Sequence, residues 1–242
     1  MPFLFLSPST QTFNPYITGG NEQYWMNLVA DAMVPLLRSS GINVTRNDPN
    51  GSAVTSIRQS NRGNYDFHLA LHSNAAPESL SGRLRGSIAF YYPTSLNGLR
   101  MAEIIADNLR QIYPLPDLVR AESSTAIGEL RQTHAPAVLV EIAYHDNVED
   151  ATWIQENIAS IGQSLALSVA EYFGLSLLTP QPEQTGQVNA SALNLRSLPS
   201  IAAPILLQIP NGTEVTILNE TGDWLIVEYN DILGFANRSF IL

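Results

Sequence analysis

The sequence predicts an α/β domain with a mixed, largely parallel sheet flanked by helices on both faces, followed by a small all-β barrel. Three observations support this fold class. Apolar segments of strand length alternate with segments of helical periodicity as far as Phe173. A stretch rich in proline, glutamine and glycine then runs from Gly174 to Gly186. After it, short strand-like segments are separated by turn signals, which favours a closed all-β domain.

The first helix has the clearest pattern in the N-terminal domain. From Glu22 to Ser39, apolar residues recur every three or four positions and form one helix face, with Pro35 as a local flaw. Gly41 fits a helix stop. Around this helix we predict, in chain order, a strand over residues 1–6, a loop to residue 21, a strand at 42–46, part of a helix at 56–61 and a strand at 67–72.

The same alternation continues to the end of the domain. We predict a strand at 88–92, a helix at 99–112 that ends before Pro114, a strand at 138–142 and a mostly helical segment at 147–173. The domain boundaries are set at 1–176 for the α/β domain, 177–186 for a linker and 187–242 for the barrel. Within the barrel, strands are expected at 192–196, 214–219, 224–229 and 234–236.

Composition narrows the possible functions. The net charge of −10 argues against a nucleic-acid partner, because binding phosphates requires a basic surface. Without cysteine, any metal must be held by His, Asp or Glu. The N-terminal segment lacks the positive region of a signal peptide, and no apolar run is long enough for a membrane span. We therefore expect no membrane span, and the sequence leaves the oligomeric state open.

Two segments end a run of strand-forming residues on a single polar side chain. Residues 71–76 carry His72, and residues 136–141 end at Glu141. Strand ends are where open α/β sheets place their chemistry. Glu22, in the first turn of the first helix, is expected at the same edge of the sheet. Mixed imidazole and carboxylate ligands suit zinc, so the pattern predicts a zinc hydrolase.

Each of these residues also has a structural interpretation. Glu22 is in a position where acidic residues commonly compensate the helix dipole, and His72 is in one where histidines commonly make structural hydrogen bonds. For Glu141 a functional role is favoured over a structural one, because a carboxylate that follows an apolar run is costly to bury unpaired. His145 follows it by four residues and is a candidate third ligand. His68 lies about 13 Å along the strand from His72, too far to share an ion, and is interpreted as a buried structural histidine.

Together these motifs resemble the zinc-dependent N-acetylmuramoyl-L-alanine amidases of bacterial cell walls and phage lysins, over roughly residues 3–173. The segment 71–76 resembles the family's histidine-ligand segment, and Glu22 falls where the family's glutamate ligand opens the first helix. The segment 130–141 resembles its catalytic-glutamate segment, which implies that Glu141 is the general base and then the acid. The resemblance implies a Zn²⁺ cofactor, peptidoglycan as partner, cleavage of the bond between N-acetylmuramic acid and L-alanine, and a location outside the cell or in the cell wall.

One segment departs from the family pattern. The family carries Asp-Pro-Gly-His-Gly-Gly after the first strand, whereas this chain has Ser-Pro-Ser-Thr-Gln at residues 7–11. Thr10 therefore stands at the place of a zinc-binding histidine, and threonine is a poor zinc ligand. Either the third ligand comes from elsewhere, with His145 as first candidate, or the domain is a catalytically inactive peptidoglycan-binding protein. A metallopeptidase that cleaves within the stem peptide is a further alternative.

The C-terminal segment resembles the bacterial SH3-type domains that accompany wall hydrolases. The resemblance covers residues 188–242 and rests on the stretch 193–197, Pro199, Trp224 and the pair 234–235. It implies an SH3-like barrel that tethers the enzyme to the wall; a barrel with no ligand of its own is the alternative. Trp224 and Tyr229 are expected to belong to its core.

Overall fold

A six-stranded sheet forms the centre of the N-terminal domain in this computed structural model, which describes residues 1–242. Its strands are β1 (Phe3–Pro8), β2 (Asn43–Arg46), β3 (Phe67–Asn74), β4 (Ser87–Tyr91), β5 (Val119–Ser123) and β6 (Ala137–Tyr144). They lie in the order β2-β1-β3-β6-β4-β5. All neighbouring pairs are parallel except β4 and β6. The predicted mixed, largely parallel sheet is confirmed.

Helices cover both faces of this sheet. They are α1 (Glu22–Ser39), α2 (Ala53–Arg62), α3 (Leu96–Arg110), α4 (Gly128–Gln132), α5 (Val148–Glu156) and α6 (Ile158–Phe173). Helices α1 and α3 both pack against α6. Together with strand residues such as Val138 and Val140 of β6, these helices enclose the main apolar core. Helices α2 and α4 contact each other, and Leu130 of α4 packs on the alternate residues Ala137 and Leu139 of β6. Because side chains alternate across a strand, these two clusters lie on opposite faces.

The parallel strands β1, β3 and β6 end at one edge of the sheet. His72 of β3 and Glu141 of β6 are register partners on adjacent strands, so their side chains leave the same face. Helix α1 begins at this edge, where the Asn21 side chain caps it by accepting a hydrogen bond from the amide of Tyr24. Its observed bounds are those predicted, and the helix continues through Pro35.

In the N-terminal domain, two short elements were not predicted from the sequence, and a third lies at shifted bounds. The edge strand β5 and the five-residue helix α4 were not predicted. The strand predicted over residues 1–6 lies instead at Phe3–Pro8, because Pro8 can occupy the last position of a strand, where its missing amide hydrogen breaks no ladder bond. None of the helices has the length and apolar character needed to cross a membrane.

The C-terminal region forms a second, antiparallel sheet of six strands. They are β7 (Gln184–Gln187), β8 (Ala192–Arg196), β9 (Ile205–Pro210), β10 (Glu214–Thr221), β11 (Trp224–Tyr229) and β12 (Ile232–Asn237), in the order β7-β10-β11-β12-β8-β9. The all-β character is confirmed, and β8 and β11 have the predicted bounds. Strand β9 was not predicted, and β7 begins inside the stretch assigned to the linker. Trp224 and Tyr229 are half-buried against the apolar clusters of this domain.

The second sheet packs against the edge of the first domain opposite to His72. Arg38, in the last turn of α1, makes two hydrogen bonds to the carboxylate of Glu228, at 2.8 and 2.9 Å. The amide of Leu233 donates to the side-chain oxygen of Asn43 at 3.3 Å. Nearby, the ring of Phe235 lies over Gly41. Helix α1 therefore runs from the candidate site at Glu22 to the contact with the second domain.

Substitution of Gly41 tests how closely the two domains pack. Gly41 has a φ of +80°, and a Cβ there would lie 2.5 Å from the ring of Phe235. Gly174 has a similar φ of +70° but open space around it. We expect Gly41→Ala to lower the free energy of unfolding by about 1–3 kcal/mol more than Gly174→Ala, because overpacking adds to the shared backbone strain. Urea denaturation of both variants measures this; equal losses would contradict close packing of the domains.

Candidate active site

Glu22 and His72, two of the residues selected from the sequence, contact each other directly. Glu22 is the first residue of α1 and is 1% exposed, while His72 near the end of β3 is 9% exposed. Their closest atoms, Glu22 Oε1 and His72 Nδ1, lie 2.7 Å apart. Glu22 also accepts hydrogen bonds from the side-chain amide of Asn14 at 2.6 Å and the backbone amide of Ser73 at 3.3 Å. The start of the helix and the end of the strand are thus tied together.

The electrostatics of this pair favour the charged forms of both residues. Burial by itself lowers the pKa of His72, but its hydrogen bonds to Glu129 and Glu22 outweigh burial and raise the pKa well above the ordinary value. Burial by itself raises the pKa of Glu22, yet the hydrogen bond to His72 reverses the shift and lowers it. These shifts favour the protonated form of His72, whose two ring nitrogens each lie beside a carboxylate oxygen.

Glu141 lies beside His72 on the neighbouring strand and differs from the other acidic groups of the site. Its Oε2 atom is buried and has no hydrogen-bond partner. Burial raises the pKa of Glu141 to about 7; the charge of His72 opposes the shift, and Glu22 and Glu129 add to it. A carboxyl group with this pKa can both accept and release a proton near neutral pH, which is what a general base requires.

Glu129 belongs to the site but was not selected from the sequence. It is 4% exposed in α4; its Oε2 lies 3.3 Å from His72 Nε2 and its Oε1 lies 3.1 Å from His68 Nε2. The hydroxyl of Ser7 donates to the same Oε1 at 2.7 Å. Burial by itself raises the pKa of Glu129, but the hydrogen bonds to His68 and His72 outweigh it and lower the pKa.

The only sequence signal for Glu129 was indirect. His68 and His72 lie on one face of the same strand, and a buried pair of imidazoles needs an acceptor. His68 is fully buried and hydrogen-bonded, as the structural interpretation predicted. Nothing in the sequence around Glu129 identifies it as that acceptor, because it follows no strand and belongs to no ligand-spacing motif.

His145 hydrogen-bonds to Ser73 and not to the Glu22–His72 pair. Its Nδ1 lies 2.9 Å from the carbonyl oxygen and 3.0 Å from the hydroxyl of Ser73, and its ring stacks on Tyr16 with the centroids 5.4 Å apart. No hydrogen bond or ion pair joins His145 to Glu22 or His72. Thr10, at the place of the family histidine, lines a narrow cleft together with His72 and Glu129.

The donors of the site fit a divalent cation by chemistry and charge. Glu22 and His72 supply the mixed carboxylate and imidazole ligands that zinc accepts, and the buried Oε2 of Glu141 lacks a partner. Three carboxylates surround one imidazole, so the cluster carries surplus negative charge that a cation would offset. No three His, Asp or Glu side chains converge on one point, however, so the three-ligand set typical of catalytic zinc is not assembled.

Comparison with known proteins places both domains in described families. Residues 13–171 match the family described as N-acetylmuramoyl-L-alanine amidase, and residues 191–241 match the bacterial SH3 domain. An amidase named YrvJ of Bacillus subtilis (strain 168) is 29% identical over 141 residues, which cover 52% of this chain and 25% of YrvJ. The matched part of the chain thus corresponds to about a quarter of that curated relative.

Solved structures share the fold of the N-terminal domain. The amidase AmiC2 of Nostoc punctiforme superposes with a TM-score of 0.62 at 16% identity, covering 72% of this chain and 97% of that one. The catalytic domain of the CD27L endolysin, which targets Clostridia difficile, gives 0.59 at 22% identity and covers 74% and 99%. With the family match spanning well over half of its residues, this chain belongs to the N-acetylmuramoyl-L-alanine amidase family and includes a bacterial SH3 domain.

Proposed function

We propose that this protein hydrolyses the amide bond between N-acetylmuramic acid and L-alanine in peptidoglycan, with the assistance of zinc. The observation that carries the proposal is the buried Oε2 atom of Glu141, which has no hydrogen-bond partner and lies beside the Glu22–His72 pair. This arrangement combines a proton acceptor with metal-binding donors, which metal-assisted amide hydrolysis requires. The choice of bond follows from the family to which the chain belongs.

Glu141 moves the proton in this reaction. Its carboxylate accepts a proton from the attacking water and then releases it to the nitrogen of the leaving L-alanine, so that the amine departs uncharged. A pKa of about 7 suits both steps, since neither proton transfer is then strongly uphill near neutral pH.

Glu22 and His72 are the residues that would hold the zinc ion. When bound, zinc supplies a Lewis acid that polarises the substrate carbonyl and lowers the pKa of water. His145 remains the proposed third ligand, and its ring would have to leave Ser73 to take that role. Glu22 contacts Nδ1 of His72, whereas Glu129 contacts Nε2. Glu129 therefore does not compete with a zinc ion for Nδ1.

We also propose that the SH3 domain binds the cell wall. The protein would then act outside the cell, where its substrate is located. A groove on this domain, with a volume of about 230 Å³, is lined by apolar side chains that include Trp224, Phe240 and the exposed Ile201, and by the polar residues Asn194, Arg196 and Asn237. Attachment through this groove would raise the concentration of the catalytic domain near its substrate.

A catalytically inactive wall-binding protein is the second candidate function. The observation in its favour is that only two of the predicted ligands meet while Thr10 occupies the place of a third. Digestion of purified peptidoglycan separates the candidates by mass spectrometry. An amidase releases stem peptides with a free L-alanine amine, a peptidase releases fragments of the stem, and an inactive binder releases neither.

Replacement of Glu141 by Gln removes the proposed general base. We expect the rate of stem-peptide release to fall by about 10²–10⁴-fold, since this is the usual contribution of a positioned acid or base. The matched control is Glu103→Gln, which changes an exposed glutamate of α3 and should leave the rate unchanged. Full activity in Glu141→Gln would remove Glu141 from the mechanism.

The pH dependence of stability tests the environment of Glu141 independently of activity. Because the folded-state pKa is raised from 4.5 to about 7, the stability of the wild type should decline as pH rises through this range. In chelator-treated protein, we expect Glu141→Gln to unfold with a higher free energy than wild type at pH 8, by at most about 3 kcal/mol, and with little difference at pH 4.5. Urea denaturation at both pH values measures this; a pH-independent difference would be inconsistent with the shifted pKa.

Metal content tests the proposed ligands. Wild-type protein should bind about one zinc ion per chain, and His72→Ala should lose it. If His145 is the third ligand, His145→Ala should weaken zinc binding at least about tenfold, whereas His134→Ala, which changes an exposed loop histidine, should not. Unchanged affinity in His145→Ala, measured by chelator competition, would exclude His145 from the ligand set.

A further inference from the structure

A continuous chain of buried hydrogen bonds runs through the candidate site. It links Ser60 Oγ to His68 Nδ1 at 3.0 Å, His68 Nε2 to Glu129 Oε1 at 3.1 Å, Glu129 Oε2 to His72 Nε2 at 3.3 Å, and His72 Nδ1 to Glu22 Oε1 at 2.7 Å. All five side chains are buried. The proposed general base Glu141 and the proposed third ligand His145 make no hydrogen bond in this chain.

We propose that Glu129 is a positioning residue that accepts the Nε2 proton of His72 and thereby directs Nδ1 toward Glu22. An imidazole has two ring nitrogens, and the partner of one decides how the other is presented. Metal-binding histidines commonly donate their second nitrogen to a carboxylate, which fixes the ring and makes the ligand more basic. The effect of Glu129 on zinc binding rests on the proposed function. Its effect on the orientation of the His72 ring does not.

Glu129 is itself held rigidly enough to perform this role. Ser7 of β1 and His68 of β3 both contact its Oε1, and Thr133, one turn further along, donates to its backbone oxygen at 2.7 Å. Contacts from two strands and its own helix leave the second carboxylate oxygen free for His72. His68, too distant to share an ion with His72, instead shares this carboxylate with it.

The substitution at Thr10 increases the importance of this arrangement. Of the predicted ligands, the structure brings only Glu22 and His72 together. The orientation of the His72 ring therefore decides whether these two ligands face one ion. A ring free to rotate about χ2 would present Nδ1 to Glu22 only part of the time. The hydrogen bond to Glu129 restricts this rotation, which matters because Thr10 replaces one of the histidine ligands of the family.

Two variants of Glu129 separate positioning from a purely structural ion pair. Glu129→Leu removes the acceptor, and Glu129→Gln keeps a neutral oxygen that can still accept the Nε2 proton. We expect zinc affinity, measured by chelator competition well below the melting temperature, to fall about 10–100-fold in Glu129→Leu and less in Glu129→Gln. The matched control is Asp150→Asn, which alters a fully buried carboxylate bonded to Arg85 and Tyr113, away from His72. It should lose stability and keep its zinc affinity.

The ring of His72 provides a readout that does not depend on zinc or activity. In ¹⁵N-correlated spectra of metal-free protein, both Glu129 variants should shift the Nε2 resonance of His72, and Asp150→Asn should not. Wild-type affinity in Glu129→Leu, an equal loss in Asp150→Asn, or an unmoved Nε2 resonance would each overturn the proposal. If Glu129→Leu fails to fold, Glu129→Gln and Ser7→Ala, which removes one contact to Glu129, carry the same test. If wild-type protein binds no zinc, the proposed function fails, and the Nε2 resonance alone decides the role of Glu129.

Discussion

The hydrogen bonds on the two sides of the His72 ring are the interaction on which the candidate site depends. One nitrogen contacts Glu22 at the start of α1, and the other contacts Glu129 in α4. These helices lie on opposite faces of the sheet, so a single side chain at the end of β3 joins both layers. Helix α1 continues from this point to the contact with the SH3 domain, so one helix carries Glu22 at its start and Arg38, which binds Glu228, in its last turn.

Burial of so many charged groups has a cost that the fold must offset. Glu22, Glu129 and Glu141 lie around one imidazole, and an ionised carboxylate is expensive to bury unless it is hydrogen-bonded. Glu22 and Glu129 are compensated by several donors, whereas Glu141 is left with an unpartnered oxygen and a raised pKa. This contrast distinguishes Glu141 from the two carboxylates that contact His72. Local destabilisation of this kind is common where a protein performs chemistry.

Most of the fold could be predicted from hydrophobic periodicity. The bounds of α1, β8 and β11 were predicted to the residue, because each combines a clear apolar pattern with a recognisable stop. The elements that were missed, β5, β7, β9 and α4, are short, exposed or polar, and their pairing with neighbours rather than their own pattern defines them. A five-residue helix such as α4 is stable only through its tertiary contacts.

The sequence by itself determined which residues stand at the start of the first helix and at the ends of the central strands. Local patterns fix these positions, so Glu22, His72 and Glu141 could be selected without coordinates. Only the tertiary structure decided that Glu129 meets His72, from which it is 57 positions distant, and that His145 binds Ser73 instead of joining Glu22. The physical reason is that a hydrogen-bond partner is chosen by the packing of distant elements, which leaves no trace in the pattern around either residue.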